Sequence, residues 1–273
     1  MKKARIIIGI LLSAIIISSV SGCANSKTSA GVTTIKVAVP NNMNPYDFLD
    51  AKGNYTGFEV VLLQDIDKLL PQYSFKFETV SDQFVALAAG KANLISCQWE
   101  KNPERAKTYL FGDEYNTTWA NYIVVLDNNK NITSLKSLEG KTVQVVQGGN
   151  DAYLIETYNK KHNNAIKVVY GGSDFSLTIN KLKTSAIDAF ISPPVMVAQF
   201  NKAYNVNLKT AGNPISNSDT YFIYRKNDPK EAELKTAVDG ALKKLRADGT
   251  LKKLSVKWLG ADFTTEKKLD GED

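Results

Sequence analysis

The sequence predicts an α/β protein, with mostly parallel sheets flanked by helices, in two units of similar size. Three observations carry this. Strand-like and helix-like periods alternate from residue 35 to residue 96. The alternation restarts at Lys141 and runs to Tyr204. About 240 residues follow an apolar leader, the length of one large or two small domains. Strands separated by helices pair in parallel, because the helix supplies the crossover.

Residues 35–39 form a short strand. Residues 40–57 contain Asn41, Asn42, Pro45, Gly53 and Gly57 and read as a turn-rich loop. Residues 58–70 carry apolar side chains at 58, 61, 62, 66, 69 and 70, which is helical spacing, and Pro71 ends the run. Residues 73–80 alternate as a strand. Ser81-Asp82 caps a helix through Ala89, and Gly90 closes it. Residues 93–96 are a buried strand leading into Cys97-Gln98-Trp99-Glu100-Lys101-Asn102-Pro103-Glu104-Arg105. There Asn102 reads as a helix cap and Pro103 as the first helical residue. Residues 122–126 form a strand and 127–133 a polar loop.

The second unit opens with a strand at 141–146 that ends in Gln147-Gly148-Gly149-Asn150-Asp151. A helix to about Lys161, a strand at 166–170 and a helix opened by Ser173-Asp174 and running through Leu182 follow. A strand at 187–191 precedes a helix that starts at Pro193. Residues 221–225 are the last strand. Asp228-Pro229 begins an amphipathic helix, broken at Asp248-Gly249 before a final helix at 250–258. In open α/β sheets ligands bind outside the carboxyl ends of the strands. Those ends include the segments 40–46, 97–105, 148–151 and 192–194.

The amino terminus reads as an export signal. A basic stub, Lys2, Lys3 and Arg5, precedes an apolar run at 6–17 that is too short to span a bilayer. Val20-Ser21-Gly22-Cys23 resembles a bacterial lipobox, which implies cleavage before Cys23, a signal peptide at 1–22 and a lipid on the cysteine. Residues 23–33 then form a polar tether, and 261–273 a polar tail. Without the three leader cations the formal charge falls from +6 to +3, too mild to point to nucleic acid. Cys97 is left without a disulfide partner, and the single histidine, His162, sits in a Lys/Asn-rich helix end, so neither thiol catalysis nor a Cys/His metal site is expected. No cofactor is implied.

Arg105 falls in the first turn of its helix, the positive end of the peptide dipoles. A cation placed there calls for an anion nearby. A guanidinium fork matches a carboxylate with two parallel hydrogen bonds.

Several pieces together resemble the bacterial extracellular solute-binding proteins of ABC importers, in the polar-amino-acid-binding family. They are Tyr55-Thr56-Gly57-Phe58-Glu59-Val60, Ala86-Leu87 with Gly90-Lys91, Pro103-Glu104-Arg105-Ala106, Lys141-Thr142-Val143 with Gln147-Gly148, and Ile187-Asp188-Ala189. Leu245-Arg246-Ala247-Asp248-Gly249-Thr250-Leu251 and Lys257-Trp258-Leu259-Gly260 complete the set. The resemblance implies a two-lobed periplasmic-binding-protein-like clamshell that closes on an amino acid. Lobe one would comprise residues 34–124 and 218–260, and lobe two 125–217. The hinge strands would lie near 124–126 and 216–220. The family's arginine at the Arg105 position holds the ligand α-carboxylate. Gly148, Gly149 and Asn150 would donate backbone N–H groups from lobe two.

Departures from the family pattern bear on the ligand. Glu100 stands where the family often has Ser or Thr. Pro193, flanked by Ser192 and Pro194, stands where a common aspartate holds the ligand ammonium. An ammonium removed from water needs a carboxylate or several acceptors. Glu100 is the first replacement and Asp151 the second. Gln98, Trp99, Ser192, Asn41 and Met43 complete the expected ligand-contacting set. The Gln98–Arg105 string is similar to the cystine- and sulfur-amino-acid-binding branch, whose doubly zwitterionic ligand would suit an additional acid.

The expected function is therefore a non-enzymatic, monomeric, lipid-anchored receptor outside the cytoplasm, delivering an amino acid to an ABC permease. The competing readings are a cyclohexadienyl or arogenate dehydratase-like enzyme with Glu100 as the acid, and a structural surface protein that keeps the fold.

Overall fold

The computed structural model describes residues 31–40, 42–172 and 174–265. Cys23 and its expected lipid, Asn41 and Ser173 lie outside the described residues. The first stretch runs β1 (Thr33–Val39), β2 (Asn42–Met43), β3 (Asp47–Leu49), β4 (Tyr55–Thr56), α1 (Phe58–Leu69), β5 (Tyr73–Thr79), α2 (Gln83–Ala88), β6 (Leu94–Glu100), α3 (Pro103–Thr108), β7 (Tyr109–Phe111) and β8 (Thr118–Leu126). After a 3-10 turn come β9 (Thr142–Val146), α4 (Asn150–Lys161), β10 (Lys167–Gly171), α5 (Phe175–Lys183), β11 (Ala189–Ser192), α6 (Pro194–Tyr204), β12 (Leu208–Arg225), α7 (Pro229–Ala247) and α8 (Thr250–Leu259).

The main sheet has the order β10-β9-β11-β8-β12-β6-β1-β5, with β7 on β12. Its outer parts are parallel: β1 pairs with β5 and β6, and β9 pairs with β10 and β11. Its middle is antiparallel, because β8 and β12 pair with each other and with β11 and β6. The loop expected at 40–57 instead folds as a three-stranded antiparallel sheet, β2-β3-β4. β12 also begins at Leu208, well before the expected residue 221.

Three apolar clusters hold these layers. The largest packs α1, α7 and α8 on β1 and β5, and α5 and α6 on β11 and the start of β12. A second lies between α4 and β8, β9 and β11, through Ala152, Ile155, Val143 and Ile123. A third puts α2 on β1, β6 and β7 through Leu87, Ile95 and Phe111. Burying such surface is the dominant favourable term in folding. Among the described residues no helix is long and apolar enough to cross a membrane.

The start of α1 is fastened to the small sheet. Phe58 N–H donates to Pro45 O at 2.9 Å and Glu59 N–H to Tyr46 O at 3.1 Å, so the helix's first free donors are met by the preceding loop. Gly57 makes this approach possible: its φ is +114°, and a Cβ there would lie 2.2 Å from Tyr46 O. That junction fixes where Asp47 and Glu59 sit.

Candidate ligand-binding site

The carboxyl end of β6 is kinked. Cys97 and Gln98 have φ of 110° and 53°, and the pairing of β6 with β12 shifts register nearby. The backbone N–H groups of both residues turn to the Glu59 carboxylate, at 3.0 Å for Gln98. Gln98 is buried, and its Oε1 accepts from Thr117 Oγ1 at 2.5 Å. Its Nε2 has no protein partner. Trp99 packs edge-on to Phe84 at 4.6 Å and donates Nε1–H to Ser96 O at 3.0 Å.

The helix start after the kink has the expected form. Asn102 Oδ1 accepts from Arg105 N–H at 2.9 Å, and Pro103 opens α3. The helix is only 6 residues long, so its dipole makes a weak case for an anion at Arg105. Burial makes the stronger one: Arg105 is 8% exposed. Its Nη1 donates to Glu100 O and its Nη2 to Gly148 O, each at 2.9 Å. The guanidinium stacks over Trp99 at 4.9 Å. Glu104 is turned away to Lys107, at 2.9 Å. Among the described residues no carboxylate forms an ion pair with Arg105 within 4.0 Å, and three of its five N–H donors are left beyond those two bonds. Burying a cation without a paired anion is costly.

Glu100 faces the opposite problem. It is 5% exposed, and its Oε1 accepts from Asn121 Nδ2 at 2.7 Å, from Asn150 Nδ2 at 2.9 Å and from Ser218 Oγ. Burial pushes its carboxyl up to about 7, against the downward pull of these donors and of Arg105. Desolvation outweighs the downward pull of a cation that is not paired with it.

The turn after β9 meets this group. Gly148 supplies its carbonyl to Arg105, and its φ is +72°. Gly149 N–H is used within the turn, donating to Val146 O at 2.8 Å, so in this arrangement it is not the ligand donor the sequence suggested. Asn150 bridges: its Oδ1 accepts from Asn102 Nδ2 at 3.1 Å while its Nδ2 donates to Glu100. A relay therefore runs from the cap of Arg105's helix to the Glu100 carboxylate. Asp151 Oδ2 accepts Val146 N–H at 2.7 Å, and burial raises its carboxyl to about 6.

Residues 35–261 match a family described as "Bacterial extracellular solute-binding proteins, family 3". The chain belongs to that family. It is 36% identical to the L-cystine-binding protein TcyK of Bacillus subtilis over 98% of this chain and all of that one. It is 37% identical to the L-cystine-binding protein TcyJ of the same organism, over 89% of this chain and 91% of the relative. A solved structure titled as a putative L-cystine ABC transporter from Listeria monocytogenes superposes with a TM-score of 0.78 at 40% identity, covering 86% of this chain and 99% of that one.

As in other members of the family, the architecture is the two-lobed periplasmic-binding-protein-like α/β fold that the resemblance implied. Other expected residues lie outside the hydrogen bonds that join Glu100 and Arg105. Ser192 is buried at the end of β11, in register with Tyr122, one residue from Asn121. Met43 lies in β2, half-buried against the large apolar cluster. Cys97 is set apart from His162, which stacks on Tyr158 at 3.9 Å, and burial raises its thiol well above the ordinary range, so it stays protonated. Among the described residues no cluster of three metal-binding side chains occurs.

Sequence reasoning missed Asn121, Ser218 and Glu59. Asn121 and Ser218 lie on β8 and β12, whose pairing spans nearly a hundred residues of chain and leaves no local pattern. Glu59 had a signal: an acid set among Phe58, Val60, Leu62 and Leu63, all wholly buried.

Proposed function

We propose that this protein is an extracytoplasmic receptor that captures an amino acid, L-cystine first among the candidates, between its two lobes and delivers it to an ABC importer without catalysing a reaction. The observation that carries the reading is the buried Arg105 guanidinium with free donors beside the buried Glu100 carboxylate. One cation and one acid, both desolvated, complement a zwitterion. Gln98 Nε2 adds an unpartnered buried donor. L-cystine-binding relatives that align over nearly the whole chain support the choice of ligand. A ligand with two ammonium and two carboxylate groups also suits the additional acid at Glu100.

The expected division, residues 34–124 with 218–260 and 125–217, is kept except at its first crossing. The stretch where two strands pair with each other, Thr118–Asn121 against Ser216–Asp219, supports a hinge there. Val124 is paired on both sides, with Phe190 and Thr210, which argues for placing the first hinge strand upstream of 124–126. A lipid on Cys23 tethers a monomer beside its permease.

A thermal-shift panel of amino acids tests the reading. Saturation at 100 times Kd adds about 2.7 kcal/mol of stability. L-cystine is expected to give the largest shift. No shift with any amino acid would overturn the receptor reading. The dehydratase alternative draws on one observation, the Glu100 carboxyl raised to about 7, which suits a general acid. Turnover of prephenate or arogenate would establish it instead.

A further inference from the structure

We propose that Glu59 is a positioning residue of the binding site, whose carboxylate holds the kinked end of β6 so that Gln98, Trp99 and Glu100 are presented in a fixed order. The proposal rests on the receptor reading in that the held segment is the one assigned to recognition.

Two consecutive non-glycine residues with positive φ, Cys97 and Gln98, are uncommon and persist only where the surroundings enforce them. Glu59 does so here. Its Oε2 accepts both of their N–H groups, and its Oε1 accepts Asn116 Nδ2 at 2.7 Å. All three partners are donors, so the site demands a group that only accepts. Glu59 itself cannot drift, because its own N–H is fixed to Tyr46 O and it is fully buried.

A second buried acid lies beside it. Asp47 is also fully buried, and its Oδ1 accepts from Ser96 Oγ at 2.8 Å, one residue before the kink. Among the described residues no cation pairs with either acid within 4.0 Å. Two such carboxyls cannot both be ionised in the interior. Burial raises both carboxyls above the usual range, and the charge of Glu59 raises Asp47 further. Glu59 accepts three N–H groups and Asp47 one hydroxyl, so the donor set favours the ionised form on Glu59 and assigns the shared proton to Asp47. This accounts for Asp47 Oδ2, a buried oxygen that no protein donor reaches. The pair is asymmetric, with Glu59 the acceptor and Asp47 the donor.

The asymmetry gives the test. Glu59→Gln places an amide N–H against existing donors, whereas Asp47→Asn keeps a donor facing Glu59 and an acceptor facing Ser96. By titration calorimetry with L-cystine, Glu59→Gln is expected to weaken binding at least 30-fold, and Asp47→Asn by less than a tenth of that factor. Amide hydrogen exchange at Cys97 and Gln98 is expected to accelerate at least 100-fold in Glu59→Gln, with the Val143 amide unchanged. Ile66→Val, on the same helix, controls for simple destabilisation and is expected to lower Tm without changing Kd. Equal losses in the two amide variants, or wild-type exchange at Cys97 and Gln98 in Glu59→Gln, would overturn the proposal. If Glu59→Gln does not fold, Asp47→Asn decides: retained protection at Cys97 and Gln98 supports the proposal, and lost protection refutes it. If the wild type binds no L-cystine, the ligand reading fails by itself, and the exchange comparison still judges the role of Glu59.

Discussion

Two strand-to-helix turns meet in this molecule, one at the end of β6 and one after β9, and they contribute different atoms. The first brings charged side chains, Glu100 and Arg105, with Asn102 as a side-chain cap. The second brings the carbonyl of Gly148 and the side-chain amide of Asn150, while its acid, Asp151, is turned back to Val146 N–H, and its helix has no side-chain cap. On the proposed reading, the charges that match a particular ligand belong to the first turn. Contacts that respond to the approach of the two turns belong to the second. Substitutions in the first should therefore alter which ligand binds, and substitutions in the second should alter how long it stays.

The largest effect is expected from Arg105→Ala. Truncating one partner of a buried charge pair costs about 2–5 kcal/mol, so affinity for L-cystine should fall at least about 30-fold in calorimetry. A loss under fivefold would move anion recognition away from the first turn.

Glu100 comes next. Its raised carboxyl means that the folded, ligand-free protein takes up a proton between about 4.5 and about 7, so ionisation destabilises it as pH rises through that window. Glu100→Gln should then be more stable than wild type at pH 8 without ligand, by at most about 3 kcal/mol, with the difference gone below pH 4.5. A ligand ammonium needs the ionised acid. Wild-type affinity should accordingly fall towards about tenfold per pH unit below 7, and the Glu100→Gln profile should be flat over that range. Identical profiles would remove Glu100 from ammonium recognition.

Asn150→Ala should weaken binding about tenfold, because it deletes two hydrogen bonds worth about 0.5–1.5 kcal/mol each. The change should appear in the dissociation rate, measured by stopped-flow fluorescence. If association slowed instead, Asn150 would belong with the recognition charges of the first turn. The smallest effect is expected at Gly148. Its φ of +72° disfavours a side chain although space is open, so Gly148→Ala should cost about 1 kcal/mol and lower Tm by about 2–4 °C in calorimetric scans.

The two turns also differ in how readable they were. Caps are local chemistry, so Asn102-Pro103, Asp82, Asp174 and Asp228 gave their helix starts directly, and each cap bond is present. The charged residues of the first turn were legible for the same reason. Their partners were not. The first half of β12 reads as a loop, because residues 212–219 are polar apart from Ile215 and contain Gly212 and Pro214, and only pairing with β8 makes it a strand. The donors that Glu59 serves, at Cys97 and Gln98, lie 38 and 39 residues along the chain, beyond any local pattern. The raised carboxyl of Glu100 was not legible for a related reason: sequence shows a neighbouring arginine but not the burial that outweighs it.

A crystal structure with L-cystine bound is the most direct test of the central claim, that the first turn reads the ligand's charges. An α-carboxylate is expected within bidentate reach of the free Arg105 N–H groups, about 2.7–2.9 Å, with an ammonium facing Glu100. An Arg105 that still meets only Glu100 O and Gly148 O, with the ligand's carboxylate bound elsewhere, would contradict it.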